Sequence, residues 1–340
     1  MRIAIYGAGS LGTVLGAYLT KNGIDVDLFS RNTNHIEGLK KNGAHIVGKV
    51  DFTIPVNAYY PNEIKGKYDL IFLMTKQLDN KNVVTFLKEH LSENGDICTM
   101  QNGFPELSVS EIIGENHTIG CSVAWGATLL GNGESELTSE EDSMSFALGR
   151  MDGSQDDRLL KCKEVLEKMC PVVLESNFSG MRFSKLLINS AFSGMSAVLG
   201  TTFGEASKNK KSRICVQNII KECIDVAKAN DIKIEPIQGK DIVKLLDYKN
   251  GFKKKISFIL IPLCIKKHAA LKASMLQDLE KGKKCEVDAI NGVVSEFGKK
   301  VNIKTPYNDA VIKVIHEIEE GKRKACFENL DAFKDLKNEI

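Results

Sequence analysis

The stretch "IYGAGSLGTVLG", residues 5–16, holds Gly7, Gly9 and Gly12 in the spacing G-x-G-x-x-G. Glycine is common, so the spacing alone says little, and the setting says more. The apolar run 2–7, "RIAIYG", reads as a strand, and the periodic run 10–23, "SLGTVLGAYLTKNG", reads as a helix that stops at Gly23. A glycine turn between a strand and a helix lets the backbone come close to a pyrophosphate. Gly7 permits the tight turn, Gly9 removes a side chain where the phosphates approach, and Gly12 lets the helix lie close to the strand. Ala8, Ser10 and Leu11 complete the loop, whose helix-start N–H groups and dipole end suit an anion. A packing turn that holds no ligand is the bland alternative.

The rest of the first half repeats this alternation. Runs 24–30 ("IDVDLFS"), 68–75 ("YDLIFLMT"), 95–100 ("GDICTM") and 117–127 ("HTIGCSVAWGA") read as strands, and 82–91 reads as a helix. Strands alternating with helices predict a parallel, doubly wound sheet. After residue 150 come a helix at 158–169 and a last strand at 172–176, and then helices alone at 181–199, 211–230, 284–299 and 307–320. The turn-rich "ESNFSG", 175–180, is the expected hinge. The predicted organisation is an α/β Rossmann-type, doubly wound domain over 1–176 and an all-α domain over 177–340.

Composition excludes several classes. The chain has 340 residues, enough for about two domains, with 43% hydrophobic and 26% charged residues, as expected of a soluble globular protein. A net charge of +2 exerts no global pull on nucleic acid or anionic lipid. Nine cysteines, without C-x-x-C pairs or zinc-like spacing, fit a reducing cytoplasm and predict no metal site. The chain opens directly on a strand, so no signal peptide is expected. The longest apolar run, "ISFILIPLCI" at 256–265, is short for a membrane span and contains Pro262, so a core segment is expected. The expected partner is a small molecule, with no nucleic acid and no membrane, and a homodimer is allowed for.

Ligands in such sheets lie outside the carboxyl ends of the strands. At the end of the second strand, where an acidic residue would select NAD, the chain reads "LFSRN" with Ser30 and Arg31. The guanidinium fork of Arg31 suits a 2′-phosphate and favours NADPH, the alternative being a surface charge. Lys76 follows the third strand in "MTKQ", and Asn102 follows the fourth in "MQNG". Lys76 could neutralise phosphate or anchor an acid, and Asn102 offers donor and acceptor groups to a nicotinamide or ribose. A solvated lysine and an Asn-Gly turn are the competing readings.

In the second half, "KLLINSAFS" (185–193) places Lys185, Asn189 and Ser193 four apart on an otherwise apolar helix. Such a stripe faces either solvent or a cleft. One charge with two small hydrogen-bonding groups suits a small ligand, and a partly desolvated lysine gives up its proton more readily. In "ASMLQDLEKGKKCEVDAING", 273–292, Ser274 sits near a helix start. Glu286 opens the next helix, with Val287, Ile290 and Val294 expected to pack. Glu286 is either a partnered carboxylate or a first-turn acid that favours its helix dipole.

These residues resemble the ketopantoate reductases (2-dehydropantoate 2-reductases). The resemblance covers most of the chain and rests on "GAGSLG" (7–12), Arg31, Lys76, "QNG" (101–103), "SKLLINS" (184–190), "GE" (204–205) and the offset of Ser274 from Glu286. It implies an NADPH-binding Rossmann domain, a helical domain like the C-terminal domain of 6-phosphogluconate dehydrogenase, and an active site in the cleft between them. It implies that Lys185 is the proton donor, that Asn189 and Ser274 hold substrate, and that Asn102 lies between cofactor and substrate. It further implies that Ala127 contacts cofactor and that Glu286 contacts the cofactor ribose and the reacting centre. Two departures stand out. Ser193 replaces a second asparagine, and the segment 249–270 is longer than in typical members. The expected activity is NADPH-dependent reduction of 2-dehydropantoate to (R)-pantoate, in pantothenate biosynthesis. The alternatives are reduction of another small 2-keto or hydroxy acid and non-catalytic NADPH sensing.

Overall fold

The computed structural model describes residues 1–237 and 239–336. The chain forms two compact units, Met1–Phe178 and a second that begins at Ser179.

In chain order the strands of the first unit are β1 (Ile3–Tyr6), β2 (Val26–Phe29), β3 (Ala44–Gly48), β4 (Phe52–Ile54), β5 (Asn57–Tyr59) and β6 (Tyr68–Leu73). They continue with β7 (Leu91–Thr99), β8 (Thr118–Val123), β9 (Ala127–Gly131), β10 (Glu134–Leu137), β11 (Phe146–Gly149) and β12 (Val172–Leu174). The helices are α1 (Ser10–Lys21), α2 (Thr33–Asn42), α3 (Asn80–Glu89), α4 (Pro105–Ile113) and α5 (Asp157–Leu166). The main sheet runs β12-β11-β8-β7-β6-β1-β2-β5, and only the β8–β11 pair is antiparallel. From β1 the chain moves to β2 on one side and later to β6 on the other, so the switch point lies at the carboxyl end of β1. Alternate residues feed two cores. Ile3 and Ile5 enter one with Leu28 and Phe72, while Ala4 and Tyr6 enter the other with Phe29 and Ile71. Burial on both faces is why these strands read as unbroken apolar runs.

A second sheet, β4-β3-β10-β9, was not expected from the sequence. Here β3 pairs in parallel with β10, across about ninety residues of chain, and β9 and β10 form a hairpin. The expected fifth strand, 117–127, therefore ends at Val123, and Ala127 opens β9 in the other sheet. The three intervening residues let the chain leave one sheet for the other.

The second unit is helical: α6 (Phe178–Ile188), α7 (Gly194–Leu199), α8 (Phe203–Lys208), α9 (Lys210–Ala229), α10 (Ile242–Leu246), α11 (Gly251–Cys264), α12 (Ser274–Glu280), α13 (Val293–Lys300) and α14 (Pro306–Glu319). Helix α6 starts inside the expected hinge, at Phe178. The expected helix 181–199 is broken by a π turn, Asn189–Ser193, and a second π turn, Asp288–Gly292, precedes α13. The long, largely buried α9 has α7, α11, α13 and α14 packed around it. The apolar run 256–265 does not form a core segment. Within α11 only Ser257 and Ile261 are buried, while Phe252 (74% exposed), Ile256 (40%), Ile259 (63%) and Leu263 (63%) share the opposite face. Apolar residues surround this helix, and packing can cover only one side of it. Among the described residues, no helix is long and apolar enough to cross a membrane.

His35, wholly buried in α2, joins the glycine-turn helix to the small sheet. The Gly133 N–H donates to His35 Nδ1 (3.2 Å), so Nε2 carries the ring proton and donates to Thr13 Oγ1 (2.8 Å). Burial pushes the imidazole pKa down from 6.5 to about 4. Above pH 6.5 both folded and unfolded chains hold it neutral. As pH falls from 6.5 towards 4 the unfolded chain takes up a proton that the folded chain refuses, so stability falls. The gap corresponds to about 3 kcal/mol. Urea unfolding at pH 7 and pH 4.5 should show this loss in the wild type and a smaller loss in His35→Gln. An equal loss in both would assign the slope to other groups.

Candidate active site

The three glycines of the turn differ in what surrounds them. A Cβ on Gly7 (φ +116°) would lie 2.5 Å from the Thr75 nitrogen, and one on Gly12 would lie 2.3 Å from the Gly7 oxygen. The protein's own packing excludes both. A Cβ on Gly9 would meet nothing nearer than the Gly7 oxygen at 4.0 Å, so the fold leaves that space open. The Gly7 and Ala8 N–H groups donate to Phe29 O (2.9 and 2.8 Å), which ties the turn to the end of β2. The α1 ladder begins with Thr13 N–H donating to Gly9 O (2.9 Å), and Gly9 supplies no capping side chain. The N–H groups of Ser10, Leu11 and Gly12 therefore precede the ladder, at the positive end of a twelve-residue helix. Open space beside Gly9 and unladdered donors fit a dinucleotide pyrophosphate.

The neighbouring strand ends carry the other expected residues. Arg31, exposed, follows β2, and its charge acts on Tyr6 at the end of β1: burial raises the phenol pKa and the guanidinium opposes it. Asn32 then caps α2, accepting from the His35 N–H (3.2 Å). Exposed Lys76 follows β6, next to the Thr75 backbone that crowds Gly7. Asn102 follows β7, and its carbonyl accepts from Gln77 Nε2. Buried Gln101 holds these loops together, with Nε2 donating to Thr75 O (2.9 Å) and Asn80 Oδ1 (2.7 Å) and Oε1 accepting from Thr99 Oγ1 (3.0 Å). Ala127 stands in the small sheet, opposite Leu137.

In the second unit Lys185 and Asn189 are half-buried, while Ser193 is 6% exposed, which removes the solvent-facing reading for that serine. Lys185 lies in the last turn of α6, whereas Asn189 and Ser193 open and close the π turn. The expected stripe thus crosses from α-helix into a π turn between Lys185 and Asn189. Ser274, exposed, is the first residue of α12, which packs on this π turn. Glu286 is 9% exposed and sits in a bend just before Val287, so it precedes its helix instead of opening it. Val287, Ile290 and Val294 are buried as expected. The π turn after Glu286 packs against the one holding Asn189 and Ser193.

Family models for "Ketopantoate reductase PanE/ApbA" and "Ketopantoate reductase PanE/ApbA C terminal" match residues 3–152 and 177–319. The chain belongs to the ketopantoate reductase family. It is 28% identical to the 2-dehydropantoate 2-reductase of Lactococcus lactis subsp. lactis (strain IL1403), over 94% of this chain and 98% of that protein. It is 27% identical to that of Aquifex aeolicus (strain VF5), over 93% and 96%. Among solved structures, it is similar to a PanE/ApbA family ketopantoate reductase from Ralstonia eutropha JMP134 (TM-score 0.80, 21% identity, 95% of this chain and 99% of that one). It is also similar to a D-mandelate dehydrogenase with NADH and anilino(oxo)acetate (TM-score 0.79, 22% identity, 94% and 99%), a likeness of fold. As a member of this family the chain is a nicotinamide-dependent oxidoreductase.

Two features of this ketopantoate reductase fold were not singled out as site features from the sequence. Gln101 was read only as part of "QNG", although its hydrogen bonds to Thr75, Asn80 and Thr99 order the β6 and β7 loops. Asn291, wholly buried, joins the two π turns, and only the "ING" before a helix hinted at it.

The unequal surroundings of the glycines separate folding from binding. Gly12→Ala should destabilise by about 1–3 kcal/mol through overpacking. Gly9→Ala should change stability by less than ~1 kcal/mol and weaken NADPH binding about tenfold or more. Thermal unfolding and a fluorescence titration of NADPH measure the two. Unchanged NADPH affinity in the Gly9 variant would remove the turn from the binding site.

Proposed function

We propose that the protein reduces a small 2-keto acid with NADPH, and that this acid is 2-dehydropantoate, giving (R)-pantoate. The observation that carries the reading is the open space at Gly9 together with Arg31 at the end of β2, in a chain of this family. Gly7 to Gly12 receive the pyrophosphate on backbone N–H groups, and Arg31 pairs with the 2′-phosphate. Lys76 adds positive charge beside the turn, Asn102 orients the nicotinamide end, and Ala127 and Glu286 complete the cofactor contacts.

Bound NADPH supplies the hydride that adds to the keto carbon. Lys185 gives its proton to the ketone oxygen and neutralises the charge that develops there. Asn189 and Ser274 hold the hydroxyl and carboxylate ends of the acid, and Glu286 fixes the reacting centre. Ser193 stands on the same π turn as Asn189. Being shorter than an amide and offering one donor, it leaves room for a water or another side chain at the substrate hydroxyl. That substitution favours a second reading, in which the physiological acid is a different small 2-keto acid. Saturable NADPH binding without turnover on any such acid would instead identify a sensing protein.

Two experiments test the reading. Arg31→Ala should weaken NADPH about ten- to a hundredfold and leave NADH nearly unchanged, the scale of a charge-assisted hydrogen bond. Equal NADPH and NADH affinities in the unmutated protein would refute the preference.

Lys185→Ala should keep NADPH affinity and lower kcat about 10²–10⁴-fold, measured as NADPH oxidation across a panel of 2-keto acids that includes ketopantoate. Near-normal kcat would remove Lys185 from the chemistry. Activity on another acid with none on ketopantoate would decide for the second reading.

A further inference from the structure

The two π turns of the second unit, Asn189–Ser193 and Asp288–Gly292, pack against each other. A π turn inserts one residue into a helix and costs regular ladder geometry, so it persists where surrounding contacts hold it. Asn291 stands at the contact, wholly buried. Its Nδ2 donates to the Ser190 carbonyl of the other π turn (3.1 Å) and to Asn308 Oδ1 (2.9 Å). Both partners are acceptors, so a flipped amide would set oxygen against oxygen, and one orientation is imposed. Asn308 Nδ2 in turn donates to Glu222 Oε2 (2.7 Å). Glu222, buried in α9, also accepts from the Tyr307 and Asn308 N–H groups (2.8 and 3.0 Å) at the start of α14. A continuous chain of hydrogen bonds thus runs from α9 through the start of α14 and the second π turn to a carbonyl of the first. Gly194 makes room for it. A Cβ there would lie 3.1 Å from Asn291 Oδ1 and 3.3 Å from Nδ2.

We infer that Asn291 is a positioning residue for catalysis: its amide holds the turn Asn189–Ser193 in the π form and so sets the directions of Asn189 and Ser193 toward the 2-keto acid. The inference rests on the reading under Proposed function for what those side chains meet. Asn291 itself touches no substrate. Reversion of the turn to α geometry would shift the helix register by one residue. Lys185 and Asn189 would then rotate by roughly 100° relative to α7. Side chains aimed at a reacting centre tolerate far less.

Asn291→Asp tests this, because it keeps shape and removes the donor. Amide hydrogen exchange across Asn189–Ser193 should speed up tenfold or more while the sheet of the first unit stays unchanged. The kcat for the acid that the wild type reduces should fall about ten- to a hundredfold, with NADPH affinity within about twofold of wild type. A purely structural asparagine would lower stability and leave kcat per folded molecule intact. If the aspartate variant does not fold, Gly194→Ala presses on the same amide from the other side and should give the same pattern. Unchanged exchange over Asn189–Ser193 overturns the inference whether or not any acid is reduced, and so does unchanged kcat in an active enzyme. A wild type inactive on every 2-keto acid refutes the functional reading, and the exchange measurement still decides the role of Asn291.

Discussion

The contact of Gly12 with the Gly7 carbonyl is the constraint on which the first unit turns. It brings α1 against the end of β1 at a distance no other residue permits. With the turn pinned to Phe29 O, the unladdered N–H groups of α1 lie at the point where the sheet changes direction. The ends of β2, β6 and β7 flank that point, so Arg31, Lys76 and Asn102 share its neighbourhood without being close in sequence. Gln101 then orders the two loops beside it. The anion-binding geometry is a by-product of helix-to-strand packing, and only Gly9 is left over for a ligand.

The second unit achieves order by a different means. Of its candidate residues, Asn189 and Ser193 lie on a π turn and Glu286 in a bend, where regular hydrogen bonding is interrupted, and buried amides stand beside them. Glu222, Asn308 and Asn291 form a buried polar chain, in which donors face Glu222, Asn308 Oδ1 and the Ser190 carbonyl. Burial raises the Glu222 pKa to about 8, while the donors aimed at it favour the anion. Such a network tolerates little rearrangement, because one lost partner strands a buried polar group. The chain ends on the Ser190 carbonyl, within the π turn that carries Asn189 and Ser193.

Much of this was legible in the residues. The switch from strand–helix alternation to helices alone follows from periodicity, which is a local property. The glycine turn, Arg31, Lys76 and Asn102 were found because each stands at a strand end that sequence can locate. The small sheet was missed because β3 and β10 pair across long chain separation and neither segment records its partner. The glycines and asparagine at 131–133 carried a hairpin signal that went unread. The helix α11 was misjudged for the opposite reason, since its composition is apolar while its exposed face is decided by what packs beside it.

The sequence by itself determined the parallel strands β1, β2, β6, β7 and β8, the glycine turn and the residue types at each strand end, because these depend on spacing within a few residues. Tertiary structure alone decided that Asn189 and Ser193 stand on a π turn, that Glu286 precedes its helix, and that Asn291 belongs to a buried hydrogen-bonded chain. A π turn has no strong local preference behind it. It exists where a distant side chain, here an amide about a hundred residues along the chain, supplies the hydrogen bond that regular helix geometry no longer provides.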